Sequence, residues 1–248
     1  MASAFTFILP AHNEEKGIER SVQRIAERLG GRPGTDVVIA ENGSTDATWS
    51  IAERLSRETK LIKVLAYHEP RAGLGYGLQR GLEEVLREHP LPENRWLVIT
   101  GAELPVGFTD LERVLEIEAA RPNDLPDVII GSKAHPDSKL SNDSTRRAAS
   151  EVYRLARRAI LGMRTGDSQG MFFIRQEVVR PIVPKLKARD FFWTTELTYY
   201  LEKANCTIVE IPVELEEARR ASTVKPFKHG SRMLKQLVKL RVQTLLDR

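Results

Sequence analysis

The chain holds a single cysteine, Cys206, among 248 residues. That scarcity excludes an intramolecular disulfide and any cysteine-based zinc cage, and it suits a reducing compartment. Cys206 is expected to sit in the buried core. No window approaches the roughly 18 uninterrupted apolar residues of a membrane helix. The opening Met1-Ala-Ser-Ala-Phe5 lacks the basic flank and apolar run of a signal peptide. The expectation is a cytoplasmic protein, with attachment at the inner face of the cell membrane as the peripheral alternative. Internal repeats, low-complexity tracts and linkers are also missing, which favours one domain. The five histidines, His12, His68, His89, His135 and His229, show no metal-ligand spacing and are read as surface or loop residues. No Gly-x-Gly-x-x-Gly directly follows the first strand, which disfavours a dinucleotide enzyme, and no nucleic-acid-binding module is recognisable.

What is present is enough for a sizeable core, with 41% apolar residues. The formal charge of +4 and pI near 9.2 fit an anionic ligand or membrane surface as well as they fit a solvated basic surface. Apolar runs at Phe5 to Leu9, Asp36 to Ala40, Leu61 to Tyr67, Trp96 to Thr100 and Asp127 to Ile130 read as strands. Stripes such as Ile18, Val22, Ile25, Leu29 and Leu78, Leu82, Val85, Leu86 read as helices between them. This alternation predicts βαβ units and a mostly parallel sheet. Further on, a basic helix from Arg146 to Leu161, a strand from Met171 to Ile174, a helix from Phe191 to Lys203 and a strand from Thr207 to Ile211 are expected. The tail has Leu234, Val238, Val242 and Leu245 at helical spacing among lysines and arginines. That basic amphipathic helix suits an anionic lipid interface or, equally, a docked position or a homodimer contact.

Two strand ends carry polar side chains. The first is Pro10-Ala-His-Asn13-Glu14, the second Glu41-Asn42-Gly43-Ser44-Thr45-Asp46-Ala47-Thr48. An open α/β sheet binds ligands beyond the carboxyl ends of its strands, where helix N-termini also present N–H groups to phosphate. Ser44, Thr45 and Asp46 are expected to cap the following helix. Trp49 and Trp96 read as core, and Phe191, Phe192 and Trp193 as an aromatic cluster that either stacks on a sugar or simply packs.

The order of these motifs resembles the family 2 glycosyltransferases of GT-A fold, particularly the polyprenyl-phosphate sugar synthases. Pro10-Ala-His-Asn13-Glu14 is similar to the family's Pro-x-x-Asn-Glu, and Glu41 to Thr48 to its Asp-Asp-x-Ser-x-Asp-x-Thr turn. Arg71-Ala-Gly73-Leu-Gly75-Tyr-Gly77 resembles its Gly-rich helix start, whose glycines would let backbone approach the sugar nucleotide. Asp167-Ser-Gln-Gly170, Trp193-Thr-Thr-Glu196, Ile208 to Val213 and Arg219-Arg220-Ala-Ser222-Thr-Val224-Lys225 resemble later family segments. The resemblance implies a Rossmann-like three-layer sandwich over residues 1–227 with a mostly parallel central sheet, followed by the amphipathic helix over 228–248. It implies hexose transfer, with inversion, from a GDP- or UDP-linked sugar to a polyprenyl phosphate or related acceptor. The alternative is a catalytically degenerate protein that binds nucleotide sugar on the same fold.

By the same resemblance, Pro10, Asn13, Glu14, Glu41, Asn42, Ser44, Asp46, Gly73, Gly101 and Ala102 are expected at the nucleotide sugar. Arg146, Arg147, Arg219, Arg220, Ser222 and Lys225 are expected at the diphosphate or the acceptor phosphate, the arginines of the 146–161 helix having a solvated face as their alternative. Lys133, Asp167 and Glu196 are the candidate catalytic residues. Asp167 has a loop-bracing alternative, and Glu196 that of an exposed helical carboxylate. The departure lies at Thr100-Gly101-Ala102-Glu103-Leu104-Pro105, where the family has Asp-x-Asp. With Gly101 in the first position, Glu103 alone is left to hold Mg²⁺ or Mn²⁺, a cation that would keep waters and take its remaining oxygens from substrate phosphates.

Overall fold

The structure, a computed structural model, describes residues 3–90, 94–104, 108–140, 144–214 and 226–246. Strand β1 (Ala4–Ala11) pairs in parallel with β2 (Asp36–Asn42) on one side and β4 (Arg95–Ile99) on the other, and β2 pairs in parallel with β3 (Lys63–Glu69). The remaining strands are β5 (Val128–Ser132), β6 (Met171–Arg175) and β7 (Ile208–Pro212). They complete a seven-stranded sheet in the order β3-β2-β1-β4-β6-β5-β7. Only β6 runs against its neighbours β4 and β5. Every expected strand is present.

The reversal of β6 positions the site. Six strands end at one edge of the sheet, and an antiparallel strand must begin there. The Gly166 to Gly170 segment that enters β6 therefore lies at the same edge as the tips of β1, β2, β4 and β5.

Alternation along the strands builds two cores. Phe5, Phe7, Leu9 and Ala11 of β1, with Val37 and Ile39 of β2, join Ile18, Val22 and Ile25 of α1 (Ile18–Leu29) and Ala52 and Leu55 of α2 (Thr48–Glu58). Leu111 and Val114 of α4 (Thr109–Ala120) close this layer. On the opposite face Ile8, Val38, Leu97 and Ile130 meet Leu78, Leu82 and Val85 of α3 (Leu74–Glu88) and Trp193, Leu197 and Leu201 of α7 (Trp193–Lys203). One-turn α6 (Gln176–Val179) adds Val179. Side chains with a period of two on the strands and near 3.6 on the helices can pack this way only as helix, sheet and helix layers.

A third, smaller cluster forms where α8 (Pro226–Leu246) lies on α5 (Ser144–Leu161): Leu237 and Leu240 are buried with Leu161, Met163, Phe192 and Tyr199. Asp190 ties down the first half of α8, accepting from Gln236 Nε2 at 3.1 Å and pairing with Arg232 at 3.0 Å. Several local expectations need correction. Residue 47, an alanine, occupies the N-cap of α2, so no side chain caps it from that position. Asp46 substitutes from one residue earlier, accepting the Thr48 N–H at 3.0 Å. Ser44 and Thr45 face the β1 loop instead. Cys206 is only partly buried, just before β7. His89 is a loop residue just past α3, as expected, but it is largely covered and its Nε2 meets Asp36 at 2.8 Å.

Candidate active site

The loops after β1 and β2 are locked together by reciprocal hydrogen bonds. Asn13 adopts a left-handed backbone (φ 57°), a conformation asparagine tolerates better than most residues. Its N–H donates to Ser44 Oγ at 3.0 Å, and its Oδ1 accepts the Thr45 N–H at 2.9 Å. The Glu14 N–H donates to Thr48 Oγ1 at 2.7 Å, the Glu15 N–H to Asp46 at 3.3 Å, and Glu15 accepts the Ala47 N–H at 3.2 Å. His12 Nδ1 lies 2.8 Å from the Asn42 carbonyl. Asn13, Ser44 and Asp46 thus meet as expected, with these groups engaged in bracing the two loops against each other.

Glu41 is buried at the end of β2. One carboxylate oxygen accepts the Ser44 N–H at 2.6 Å and the other meets His68 Nδ1. His68 ends up half exposed, tilted against Trp49 with ring centroids 5.3 Å apart. His68 is exposed, as expected, although it stands in β3 beside a buried carboxylate, and Trp49 is partly buried, packed against the core. The register that aligns Glu41 with His68 was the signal that could have paired them.

Gly43 has φ 63°, and a methyl group there would come 2.7 Å from the Ala72 nitrogen. Asn42 is buried, its side chain against Gly77 of α3. The glycines of the α3 start also allow a close approach within the chain itself. A methyl group on Gly73 would meet the Arg189 carbonyl oxygen at 2.6 Å, and one on Gly75 the Arg189 carbonyl carbon at 2.6 Å. The chain's own backbone occupies that side. Glu196 holds this segment in place: it is buried, not exposed, and accepts the Lys187 and Ala188 N–H groups at 2.8 and 2.7 Å. Burial raises its pKa, against the pull of those two donors.

Arg71, which also lies here, chelates Glu69 through Nε at 2.6 Å and Nη2 at 2.9 Å, and stands 4.3 Å from the centre of the Tyr76 ring. Arg189 reaches the same ring at 6.0 Å. These two cations beside the N-terminus of α3 were missed as candidates; their flanking of a Gly-rich helix start was the available signal for Arg71.

At the tip of β4, Ala102 is buried in the core, while Gly101 and Glu103 are exposed. Pro10 is likewise buried, within β1 opposite Ala40. A methyl group on Gly17 would stand 3.6 Å from the Glu14 carboxylate and 3.9 Å from Glu103 Cγ, so the β1 and β4 tips do converge. Among the described residues no three His, Cys, Asp or Glu side chains gather in a way that could hold a metal. Glu103, with Glu14 nearby, fits a divalent cation only as a contributor of one or two oxygens.

Beyond β5, Lys133 Nζ is gripped by Asp167 at 3.0 Å and by the Gln169 carbonyl at 2.8 Å. Asp167 also accepts the backbone N–H of Lys133 and of Gln169, at 2.9 and 2.8 Å. Burial by itself would raise the Asp167 pKa; the Lys133 charge and these donors outweigh it and hold the carboxyl below its ordinary value. A carboxylate so stabilised is a poor proton acceptor and a good anchor. Glu210 of β7 accepts the Gly166 and Asp167 N–H groups at 2.8 and 3.0 Å, fixing the turn. Phe192 and Trp193 are buried, so their aromatic surface packs. Arg147 is exposed on α5. Arg219, Arg220, Ser222 and Lys225 lie outside the described residues, as does the side chain of Arg146.

A mostly parallel α/β sheet whose polar loops and one anchored lysine share the carboxyl edge defines a protein of the doubly wound class. Residues 6–182 match the family described as glycosyl transferase family 2, and the chain belongs to it. Over 214 residues, 84% of the chain, it is 28% identical to the glycosyltransferase AglD of Haloferax volcanii, of whose length it spans 32%. It is 23% identical over 221 residues to the polyprenol monophosphomannose synthase of Mycolicibacterium smegmatis, covering 85% of this chain and 76% of that one. Among solved structures it resembles glucosyl-3-phosphoglycerate synthase from Mycobacterium tuberculosis in complex with Mn²⁺, UDP and glucosyl-3-phosphoglycerate, with TM-score 0.61 and 16% identity over 98% of this chain and 80% of that one. It also resembles S. aureus TarS residues 1–349 with UDP-GlcNAc, with TM-score 0.53 and 13% identity over 94% and 66%. These likenesses give the GT-A fold.

Proposed function

We propose that this family 2 glycosyltransferase moves a hexose from a GDP- or UDP-linked donor to a polyprenyl phosphate, inverting the anomeric centre. The observation that carries the reading is Lys133, a cation fixed by Asp167 and the Gln169 carbonyl at the sheet edge where the β1, β2 and β4 tips also end. The name of the M. smegmatis relative supports the acceptor class, and the nucleotides in the structures of the fold relatives support the donor class.

In this reading the acceptor phosphate oxygen attacks the anomeric carbon as the bond to the leaving diphosphate breaks. A phosphate oxygen is already ionised near neutral pH, so no strong general base is needed. That suits a site in which Asp167 is tied to Lys133 and Glu196 to backbone N–H groups. Lys133 supplies a point charge to hold the acceptor phosphate. The 41–46 turn and the β1 loop bind the nucleoside side, with Arg219, Arg220, Ser222 and Lys225 on the diphosphate. Glu103 would hold Mg²⁺ or Mn²⁺, which when bound neutralises charge on the leaving group.

The test is a thermal-shift panel of GDP, UDP, dTDP and their sugars, with and without Mn²⁺, followed by transfer assays onto polyprenyl phosphate. Stabilisation by one diphosphate and formation of a lipid-linked sugar support the proposal. Stabilisation without transfer to any acceptor would favour the degenerate binding protein, a reading that the glycine at 101 keeps in play. No stabilisation by any nucleotide overturns both.

A further inference from the structure

We infer that the outward side of α8, with the adjoining α5, is a docking surface for an anionic phospholipid bilayer. Leu237 and Leu240 already seat α8 on the protein. A second apolar stripe, Leu234, Val238, Val242 and Leu245, is left on the solvent side, with Val238 and Val242 about half exposed. On α5 Val152 and Leu155 are more exposed still. Of the nine large apolar side chains exposed among the described residues, all but Leu61 and Val209 belong to these two packed helices. Solvent-facing apolar side chains concentrated on one helix pair mark a contact surface.

Charge identifies the occupant. Helix α8 contains five lysines and arginines and no acidic residue. Helix α5 contains five arginines, of which Arg157 is buried against the Thr165 and Gly166 carbonyls, and one acid, Glu151, which pairs with Arg154. A second copy of this chain docking through the same surface would bring these cations against their own equivalents. An anionic lipid surface instead complements them, with the apolar stripe entering the acyl boundary and Lys235 and Lys239 beside it reaching head groups. The location suits a lipid-borne acceptor: Gln169, whose carbonyl holds Lys133 Nζ, also contacts Met233 Sδ of α8 at 4.0 Å. That last link rests on the proposed function; the docking itself does not.

The test is sedimentation of the full chain with vesicles of phosphatidylcholine, with and without phosphatidylglycerol, in the absence of any donor. The chain is expected to bind the anionic vesicles and to be released by salt. Lys235→Gln/Lys239→Gln should bind about thirtyfold more weakly, from the usual attraction of two basic side chains to an anionic surface. Val238→Asp/Val242→Asp, substitutions at exposed positions, should melt as the parent does and lose vesicle binding. Equal binding by parent and both variants, or no binding to anionic vesicles, overturns the inference. So does a dimer in analytical ultracentrifugation that Val238→Asp/Val242→Asp dissociates. Because no sugar donor is involved, these outcomes are separate from failure of the transferase reading.

Discussion

Replacing Asp110 should flatten the pH dependence of this protein's stability. The side chain is fully buried near the start of α4. Its Oδ1 accepts the Leu111 N–H at 2.9 Å, while Oδ2 has no hydrogen-bond partner among the described residues. A methyl group on Gly131 would lie 3.1 Å from that Oδ2 and 2.8 Å from a Val213 methyl, so the surroundings are tight and apolar. Desolvation raises the pKa from 3.8 to about 7, against the opposing pull of backbone hydrogen bonds. Between those values the folded protein keeps a proton that the unfolded chain has released. Stability therefore falls as pH rises from about 4 to about 7 and levels off above. At about 1.4 kcal/mol per pH unit, the full effect is about 4 kcal/mol. Asp110→Asn resembles the protonated acid in shape and retains the oxygen that accepts from Leu111. Urea unfolding at pH 5 and pH 8 should show the variant's advantage over the parent growing from about 1.5 kcal/mol at the lower pH to about 4 kcal/mol at the higher one. Parallel pH profiles for the two proteins would refute the reasoning.

Lys133→Met should lower transfer to the proposed polyprenyl-phosphate acceptor by about 10²- to 10³-fold, the usual effect of removing one fixed charge from a transferring centre, while calorimetric donor binding stays unchanged. A variant that transfers normally would remove Lys133 from the mechanism. Glu103→Gln should abolish the Mn²⁺-dependent part of the thermal shift given by the donor diphosphate and leave the metal-free part intact; an undiminished metal effect would place the cation elsewhere. Gly75→Ala would drive a methyl group to 2.6 Å from the Arg189 carbonyl carbon, where backbone on both sides must move. A loss of about 1 to 3 kcal/mol is expected in denaturant unfolding, although alanine is the better helix former.

The strands were legible because a sheet covered on both faces needs near-continuous apolar runs, and Phe5 to Leu9 or Val37 to Ala40 can hardly be read otherwise. The direction of β6 was not legible. Met171 to Ile174 reads as a strand from its own composition, but only its partners Leu97 and Ile129 tell which way it runs. Helix α4 escaped notice for a related reason: its apolar residues Leu111 and Val114 are diluted by acidic neighbours, and burial of one short face decides the element. The tail read correctly as amphipathic, yet its seating depends on Leu237 and Leu240, beside the stripe that the spacing emphasised.

At the site, motif order brought Asn13, Ser44 and Asp46 to one place, because residues just past parallel strands must gather at one edge. Their partners were another matter. The sequence offers Asn13 and Asp46 as ligand-binding groups, whereas each spends hydrogen bonds on the neighbouring loop. Gly73 and Gly75 read as letting backbone approach a sugar nucleotide, and the structure shows in addition that the Arg189 backbone lies against both, a contact between segments far apart in the chain. The same exchange explains how a substituted site can remain ordered. Glu41 occupies the place of an aspartate, and its longer side chain spans both the Ser44 N–H and His68, so the turn keeps its shape. A polar network satisfied in this way is rigid before any ligand arrives. The glutamate at 41 therefore leaves the shape of the turn intact.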